Sequence, residues 1–371
     1  NASGARTFKY GATRAFVRRI RVVLADRAVL DIPRGAIFAA NGHLTIPPEL
    51  VAVSAGHTYV IPVPSYRMPD TKHCAGYFAT PEMDLIDLFI GSEGTLGVIT
   101  EVELTLCQRT KERLSVTAFF PDEAEALRFV NDVRGGISAG ALDVEALEYF
   151  GATALQLLRD RRTPSDTAIP EIPPAGAAIY TELAFADGAL DDAFALLDQY
   201  LACCGSSTET AWAGLEEAEI RKMKLFRHAV PETINQIIGE RKRSLPALHK
   251  IATDLAVPDE RLRDIMDYYH GALDTAGLQY VIFGHIGNNH LHVNIMPRNE
   301  DELARAKVLY GEFAARAVAL GGTVAAEHGI GKLKTSFLAA MYGEHHMAQM
   351  RAVKNALDPD DMLGRGTLFP Q

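Results

Sequence analysis

The segment Gly284-His285-Ile286-Gly287-Asn288-Asn289-His290-Leu291-His292-Val293-Asn294 holds three of the twelve histidines of this chain. Apolar residues lead into it at 280–283 and out of it at Val293, Ile295 and Met296, while glycine and asparagine at its centre tolerate the positive φ of a tight hairpin. Residues two apart on a strand point to the same face, so His290 and His292 share one face. We therefore predict a strand–turn–strand unit that brings His285 close to His292.

A second group of candidate ligands lies further along the chain. The segment Ala325-Ala326-Glu327-His328-Gly329 offers a carboxylate and a fourth imidazole. Two imidazoles and one carboxylate with an open position form a usual ligand set for catalytic zinc or a similar divalent ion. Histidines near strands are often ordinary core or surface residues, but three of them around one turn favour a metal site. The spacing does not match His-Glu-x-x-His, which argues against a helix-borne metalloprotease site.

Composition limits the classes of protein to consider. The 371 residues carry a formal net charge of −10 and are 48% hydrophobic, which allows two domains and argues against nucleic-acid or membrane-surface binding. The four cysteines form no Cys-x-x-Cys pair or disulfide framework, and reduced thiols fit a cytoplasmic protein. No apolar run reaches the length of a membrane span, and no segment resembles a signal peptide. Because the chain opens in a glycine-rich loop, we expect further residues before Asn1.

The pattern of apolar residues predicts an α+β fold. Two short strands are expected at 17–32, irregular chain at 33–80 and a strand with alternating faces at 98–106. Beyond residue 110, strands at 116–120, 142–148, 178–185 and 207–211 alternate with helices to about 134 and 158, then at 189–202, 215–238, 258–276, 300–319 and 343–356. This order implies an antiparallel sheet covered by helices on one face.

A glycine-rich loop separates an apolar segment from the strand at 98–106. Gly91-x-x-Gly94-x-x-Gly97 lacks the Lys-Ser/Thr of a P-loop and differs from the dinucleotide-binding spacing. Glycines at such a point form either a simple tight turn or a close backbone approach to a flat or phosphorylated ligand. Their spacing alone does not choose between the two.

Longer motifs favour the ligand-binding alternative for the glycine-rich loop. The stretch 87–100, Asp-Leu-Phe-Ile-Gly-Ser-Glu-Gly-Thr-Leu-Gly-Val-Ile-Thr, closely resembles the flavin-contacting segment of FAD-linked oxidases of the vanillyl-alcohol-oxidase type. Residues 1–11 resemble the second flavin loop of that family, and 72–77 resemble its Lys-Asn-x-x-Gly-Tyr element. Residues 284–294, 327–331 and 357–366 resemble the D-2-hydroxyacid dehydrogenase branch, which includes D-lactate, glycolate and D-2-hydroxyglutarate dehydrogenases.

The resemblance implies a fold and an order of domains. Residues 1–108 would be the second half of a PCMH-type FAD-binding domain, and 109–325 an antiparallel-sheet cap domain of the FAD-linked oxidase C-terminal type. Residues 326–371 would be a helical tail that returns to the flavin site. Family members carry an earlier part of the FAD domain, with a pyrophosphate-binding loop, ahead of the position that matches Asn1.

The resemblance also implies roles for individual residues. FAD would accept hydride, and zinc or manganese would be bound by His285, His292 and Glu327. His328 matches the general base, Asn294 a polar residue beside the site and Arg227 the arginine that binds the substrate carboxylate; Lys250 would add a charge near the substrate. The flavin-contacting positions are Asn1, Ser3, Gly4, Tyr10, Gly11, Gly91, Ser92, Glu93, Gly94, Thr95, Gly97, Val98 and Ile99.

Two features depart from the pattern of the family. The position that matches His290 is often not histidine, and we place His290 outside the ligand set, as a residue that orients a ligand or as a plain polar contact. Pro231 stands where some members that oxidise dicarboxylates carry threonine, which weakens a specific 2-hydroxyglutarate assignment.

The expected function is FAD-dependent oxidation of a small D-2-hydroxyacid to the 2-oxoacid, with the electron acceptor unassigned and a homodimer left open. Two alternatives stand beside it: a metal-dependent hydrolase that uses the same histidine site, and a non-catalytic fragment without a complete FAD site.

Overall fold

The computed structural model describes residues 1–53, 58–108, 112–162, 169–186 and 188–370. Residues up to Leu104 form a four-stranded antiparallel sheet in the order β4-β2-β1-β6, and a two-stranded sheet of β3 and β5. The elements in chain order are α1 (Thr7–Tyr10), β1 (Val17–Val23), β2 (Val29–Pro33), β3 (His43–Ile46), β4 (Val51–Val53), β5 (Tyr59–Pro62), α2 (Leu85–Phe89) and β6 (Val98–Leu104).

The predicted strand pair at 17–32 is confirmed. β1 and β2 are antiparallel neighbours, and Arg27 in the turn between them has a φ of 74°. Residues 33–80 are not wholly irregular, because β3, β4 and β5 lie there. The prolines misled the prediction: Pro47 and Pro48 form a turn between strands, where a missing N–H costs no ladder hydrogen bond.

The predicted strand at 98–106 exists as β6, but its faces do not alternate. All seven residues are exposed, including Val98 at 55% and Val102 at 52%. β6 is an edge strand, and within the described residues no element buries either of its faces. An apolar strand of this kind offers unpaired backbone groups to any other chain segment that reaches it.

The rest of the chain builds one larger antiparallel sheet, in the order β10-β7-β9-β8-β13-β14-β11, with β12 also paired to β14. Its elements are β7 (Glu112–Phe120), α3 (Glu123–Ser138), β8 (Asp143–Gly151), α4 (Ala152–Arg161), β9 (Ala177–Phe185), α5 (Leu190–Cys203), β10 (Trp212–Gly214), α6 (Glu217–Lys242), β11 (Ile251–Ala252), β12 (Leu255–Ala256), α7 (Leu262–Ala276), β13 (Tyr280–His285), β14 (His290–Ile295), α8 (Glu300–Ala319) and α9 (Thr335–Leu357).

Helices cover both faces of this sheet, so the prediction of a single covered face is wrong. α3, α5, α7 and α8 pack on one face in the main core, while α4 and α6 pack on the other in a second apolar cluster. The error follows from the strand composition: β8 and β9 are buried along nearly their whole length, as strands packed on both sides are. The face under α4 and α6 also carries the polar residues of the candidate site.

Two shorter elements lie away from their predicted positions. The strand predicted at 207–211 is β10 at Trp212–Gly214, and the last helix begins at Thr335, ahead of residue 343. α9 is interrupted at Gly343, whose φ of 74° breaks the helical path. Among the helices of the described residues, none combines the length and apolar character needed to cross a bilayer. The predicted divisions at 108/109 and 325/326 remain predictions.

Candidate functional site

The histidine hairpin forms as its sequence predicts. β13 and β14 pair in a register that sets His285 opposite His290 and Phe283 opposite His292. Directly opposite residues share a face, so His285, His290 and His292 all project from one side of the sheet. The turn closes at Asn289, which has a φ of 50°. The expected approach of His285 to His292 is confirmed by ring centroids 5.6 Å apart.

Glu327 completes this cluster from a distant loop. Its Oε2 atom lies 3.2 Å from Nε2 of His285 and 3.3 Å from Nδ1 of His290. One donor atom from each of His285, His290, His292 and Glu327 can be chosen so that all four lie within 4.8 Å of one another. The structure therefore brings together the three predicted ligands, with His290 beside them.

Asp254 holds the loop that carries Glu327. Its two carboxylate oxygens accept the backbone N–H groups of Glu327 and His328, each at 3.0 Å. Lys334 donates to the same carboxylate at 2.7 Å, and Nε2 of His290 lies 3.0 Å away at an angle short of a hydrogen bond. Burial opposes the ionisation of Asp254, but its contacts with His290 and Lys334 outweigh it and hold its pKa well below the usual range.

The pKa values of the residues in this cluster shift in different directions. For His285 burial disfavours protonation, but the charge of Glu148, with hydrogen bonds to Glu148 and Glu327, outweighs it and raises the pKa to about 9. Burial, with repulsion from the neighbouring histidines, lowers the pKa of His292 well below its ordinary value. Glu327 is held as a carboxylate: burial works against this, but His285 and His290 keep its pKa far below the usual range. A negative oxygen among imidazoles suits a divalent cation.

His328 is the accessible histidine of the site. Its ring stacks on that of His292, with centroids 5.6 Å apart and planes 16° apart, yet 61% of its side chain is exposed. Nδ1 lies 3.6 Å from the carboxylate of Asp254. An exposed imidazole next to a carboxylate has the solvent access that a general base requires.

The remaining predicted substrate-binding residues surround the cluster. Nε of Arg227, on α6, lies 3.9 Å from Oε2 of Glu148, whose other oxygen contacts Nδ1 of His285 at 2.6 Å. Asn294 is 2% exposed and follows His292 on the same face of β14, opposite Ala252. Lys250 is half-buried directly before β11, and burial lowers its pKa.

Three contacts of the cluster were not assigned from the sequence. Glu148 contacts His285, Asp254 holds the Glu327 loop, and Lys72 donates to Oε2 of Glu327 at 3.0 Å from a side chain that is 4% exposed. The signal for Glu148 is a carboxylate among the apolar residues 146–150. A charged residue there has to be paired, because a buried unpaired charge is costly.

The glycine loop at 91–97 adopts the strained backbone that its composition allows. Gly91 and Gly94 have φ of 87° and 71°, and Glu93 between them has a φ of 54°. The Glu93 carboxylate accepts the N–H groups of Ile330 and Gly331 at 2.8 and 2.6 Å. Glu93 thus ties the glycine loop to the loop that carries Glu327 and His328.

Two neighbouring clefts, of about 600 and 530 Å³, share Asn1, Cys74 and Gly91 in their walls. The second is also bounded by Glu327 and His328, so the glycine loop and the histidine site face one space. Of the thirteen predicted flavin-contacting positions, the ones that line a cleft are Asn1, Ser3, Gly11, Gly91, Ser92, Glu93, Gly94, Gly97, Val98 and Ile99.

Three of those positions line neither cleft. Thr95 is fully buried, and its hydroxyl bonds the Ser92 carbonyl and the Tyr77 hydroxyl, each at 2.7 Å. The Tyr10 hydroxyl donates to Glu145 at 2.7 Å. Gly4 lies by the histidine site, since a Cβ added there would meet Oε1 of Glu327 at 3.8 Å.

The first cleft fits a polar cofactor. Ser3 Oγ and Asn288 Oδ1 are buried in its wall without a hydrogen-bond partner, and buried polar atoms of this kind call for one. The nearby glycines lack the side chains that would keep a ligand away from the backbone. The donor atoms around Glu327 fit a divalent metal equally well, as nitrogen and carboxylate ligands suit zinc.

Comparison with known proteins gives a consistent picture. Residues 109–368 match the family described as FAD linked oxidases, C-terminal domain. The glycolate oxidase subunit GlcD of Bacillus subtilis is 26% identical over 373 residues, covering 100% of this chain and 66% of that protein. A probable mitochondrial D-lactate dehydrogenase of Danio rerio is 26% identical, covering 100% of this chain and 63% of its own length. The D-2-hydroxyglutarate dehydrogenase of Escherichia coli is 30% identical over 78% of this chain and 28% of its own.

Solved structures agree on the fold. A p-cresol methylhydroxylase with bound substrate superposes with a TM-score of 0.63 at 13% identity, covering 100% of this chain and 68% of that one. The 4-ethylphenol oxidase of Gulosibacter chungangensis gives 0.57 at 16% identity, covering 100% and 69%. The predicted α+β fold of the FAD-linked oxidase type is thereby confirmed. The chain spans about two thirds or less of the three curated relatives described above.

Proposed function

Because the chain belongs to the family of FAD-linked oxidases through its C-terminal domain, we propose that it oxidises a small D-2-hydroxyacid to the corresponding 2-oxoacid. One observation carries the proposal: Glu327 and His328 bound the same cleft as the glycine loop. A substrate held at the histidine cluster would therefore lie next to whatever the glycine loop binds. The names of the relatives, glycolate oxidase and D-lactate dehydrogenase among them, support the substrate class.

Two bound groups complete this proposal. FAD, when bound, would supply the acceptor for the hydride from C2 of the substrate, which protein side chains cannot provide. His285, His292 and Glu327 would hold a divalent metal, whose positive charge would lower the pKa of the substrate hydroxyl. In the cofactor cleft, the unpaired Ser3 hydroxyl and Asn288 oxygen would hydrogen-bond FAD.

The side chains of the chain do the rest. His328 would take the hydroxyl proton, since its ring is exposed and its Nδ1 lies beside Asp254, which would stabilise the imidazolium. Arg227 would hold the substrate carboxylate in the bidentate geometry of a guanidinium, with Lys250 adding positive charge. Asn294, two residues after His292 on the same strand face, would hydrogen-bond the substrate.

The experiment uses the purified full-length protein. We expect a yellow flavin spectrum that bleaches anaerobically with D-lactate and much less with L-lactate, and turnover of D-2-hydroxyacids with an artificial electron acceptor. Prolonged chelation should abolish turnover while leaving the flavin spectrum intact, and added zinc or manganese should restore it. A full-length protein with an intact histidine site that binds no flavin would disprove the proposal.

A variant tests the assigned base. His328→Gln should keep flavin and metal but lower kcat by about 10²–10⁴, the usual contribution of a general base. His345→Asn, at an exposed histidine on α9, is the matched control and should turn over like the wild type. Hydrolysis by flavin-free protein would instead favour the hydrolase alternative.

The four free cysteines are consistent with the cytoplasm as the compartment we propose.

A further inference from the structure

His290 stands in the same relation to Glu327 as the assigned ligand His285. Nε2 of His285 and Nδ1 of His290 lie 3.2 and 3.3 Å from Oε2 of Glu327. Two donors bound to one zinc ion at about 2.0–2.1 Å in a tetrahedral site are about 3.3–3.4 Å apart. The distance of His290 from Glu327 is therefore compatible with a ligand, although its sequence position suggested only an outer contact.

In each of the three histidines, the contact of the ring nitrogen that would not bind the metal also favours a ligand role. Nδ1 of His285 contacts Glu148 at 2.6 Å, and Nδ1 of His292 contacts the carbonyl of Thr253 at 3.2 Å. Nε2 of His290 lies 3.0 Å from the carboxylate of Asp254, at an angle short of a hydrogen bond, so this third contact is electrostatic. Histidines that bind metals commonly direct the nitrogen away from the metal to a carboxylate or carbonyl, which fixes the tautomer of the ring.

We propose that His290 is a third imidazole ligand, so that the metal site has four protein donors: His285, His290, His292 and Glu327. The proposal rests on the proposed function in taking this cluster as a metal site, and it adds a ligand that the function does not require. Three imidazoles favour zinc over manganese, because manganese prefers oxygen donors. Binding of a substrate oxygen would then make the metal five-coordinate, as catalytic zinc allows.

Lys72 provides the main competing explanation. Its Nζ lies 3.3 Å from Nδ1 of His290 and 3.0 Å from Oε2 of Glu327, so His290 could simply accept a hydrogen bond from a buried ammonium. Removing Lys72 does not separate the two explanations, because its ammonium also donates to Glu327, a ligand in both, and competes with a cation in either case. Replacing His290 does separate them. If His290 is a ligand, its loss weakens metal binding strongly; if it only accepts from Lys72, metal affinity should stay close to that of the wild type.

The test measures metal binding directly in the full-length flavoprotein. We expect wild-type protein to bind one zinc ion, and X-ray absorption at the zinc edge to count three imidazoles around it. His290→Asn keeps a hydrogen-bonding side chain but should lower the count to two. It should also weaken zinc affinity, measured by competition with a chromophoric chelator, by about 100-fold or more, beyond the 10–100-fold typical of losing an outer partner. His345→Asn should match the wild type.

Each other outcome overturns the proposal. Two imidazoles around wild-type zinc would exclude His290 without the need for any variant, so a folding defect in His290→Asn cannot obscure the result. Equal zinc affinity of His290→Asn and wild type would likewise show that His290 is no ligand. If wild-type protein binds no zinc at all, this proposal fails; if it binds no manganese either, the metal part of the proposed function fails as well. Bleaching of the flavin by D-lactate would still test hydroxyacid oxidation separately.

Discussion

Replacement of Asp254 by asparagine should destabilise the protein through a single buried carboxylate. In the wild type this side chain is 3% exposed and accepts three hydrogen bonds, from the backbone N–H groups of Glu327 and His328 and from the ammonium of Lys334. Asparagine has one acceptor oxygen, so one N–H bond to a charged acceptor is lost, at about 1.5–3 kcal/mol. Lys334, whose side chain is 13% exposed, is left without its counter-ion. We expect a total loss of about 3–5 kcal/mol in the free energy of unfolding, as for other broken buried pairs.

The measurement is urea unfolding followed by circular dichroism and fluorescence, with transitions from the two probes required to coincide. Lys334→Met tests the mechanism in a double-mutant cycle, because it removes the ammonium that Asp254→Asn leaves unpaired. The two changes should couple by about 1–3 kcal/mol. Asp301→Asn is the control: its ion pair with Arg305 joins an aspartate that is 80% exposed, and its loss should cost less than about 0.5 kcal/mol.

The pH dependence of this effect follows from the pKa of Asp254, which is held below its unfolded value. Stability from such a group is present above the unfolded pKa and is lost as the pH falls through the folded one. The difference between wild type and Asp254→Asn should therefore persist at pH 5–7 and shrink under strongly acidic conditions. Additive effects of the two substitutions, or a loss below 0.5 kcal/mol for Asp254→Asn, would refute the reasoning.

Three further predictions follow from other contacts. Gly329→Ala should lower the free energy of unfolding in the urea assay more than Gly331→Ala does. Both glycines have a positive φ, which costs alanine about 1–2 kcal/mol. Only at Gly329 does the new Cβ also meet a carboxylate oxygen of Glu93, at 2.8 Å. Equal losses would contradict the predicted clash. The hydrogen bond to Glu123 is the main cause that raises the pKa of His270. Wild-type protein should therefore be more stable to unfolding than His270→Gln, by less than about 1 kcal/mol because the pair is partly exposed. This difference in stability should be full below pH 6.5 and disappear as the pH rises through the raised pKa. A melting-temperature difference that grows with pH would reverse that sign. Arg227→Met should lower kcat/KM for D-2-hydroxyacids by about 10- to 150-fold, the value of hydrogen bonds to a charged group; unchanged kinetics would remove Arg227 from the substrate site.

Much of the hairpin could be predicted because its information is local. The alternation of strand residues and the asparagine-glycine turn determine which side chains share a face, and the approach of His285 to His292 follows. The ring partners of these histidines could not be predicted in the same way. Glu148 and Asp254 lie on other strands or loops, and only the sheet order brings them to the hairpin.

Composition misled the interpretation where burial, rather than periodicity, decides the structure. β6 has the sequence of a strand with one buried face, yet all its residues are exposed. The converse holds in β8 and β9, where both faces are buried and the helices therefore lie on both sides of the sheet. His290 shows the same limit at the level of one residue, because its distance to Glu327 depends on a loop that its own sequence does not specify.

The loop 327–331 is held from two sides, by Glu93 of the glycine loop and by Asp254 next to β12. This arrangement constrains how the protein could be recombined with a relative. A chimera that takes residues 112–370 from one protein and the preceding residues from another would separate Glu93 from the two N–H groups that it accepts. The donor of the sheet and the donor of the glycine loop would then need matching geometry at that one carboxylate. The glycine loop and the loop 327–331 therefore have to be exchanged together, even though they belong to parts of the chain with separate sheets.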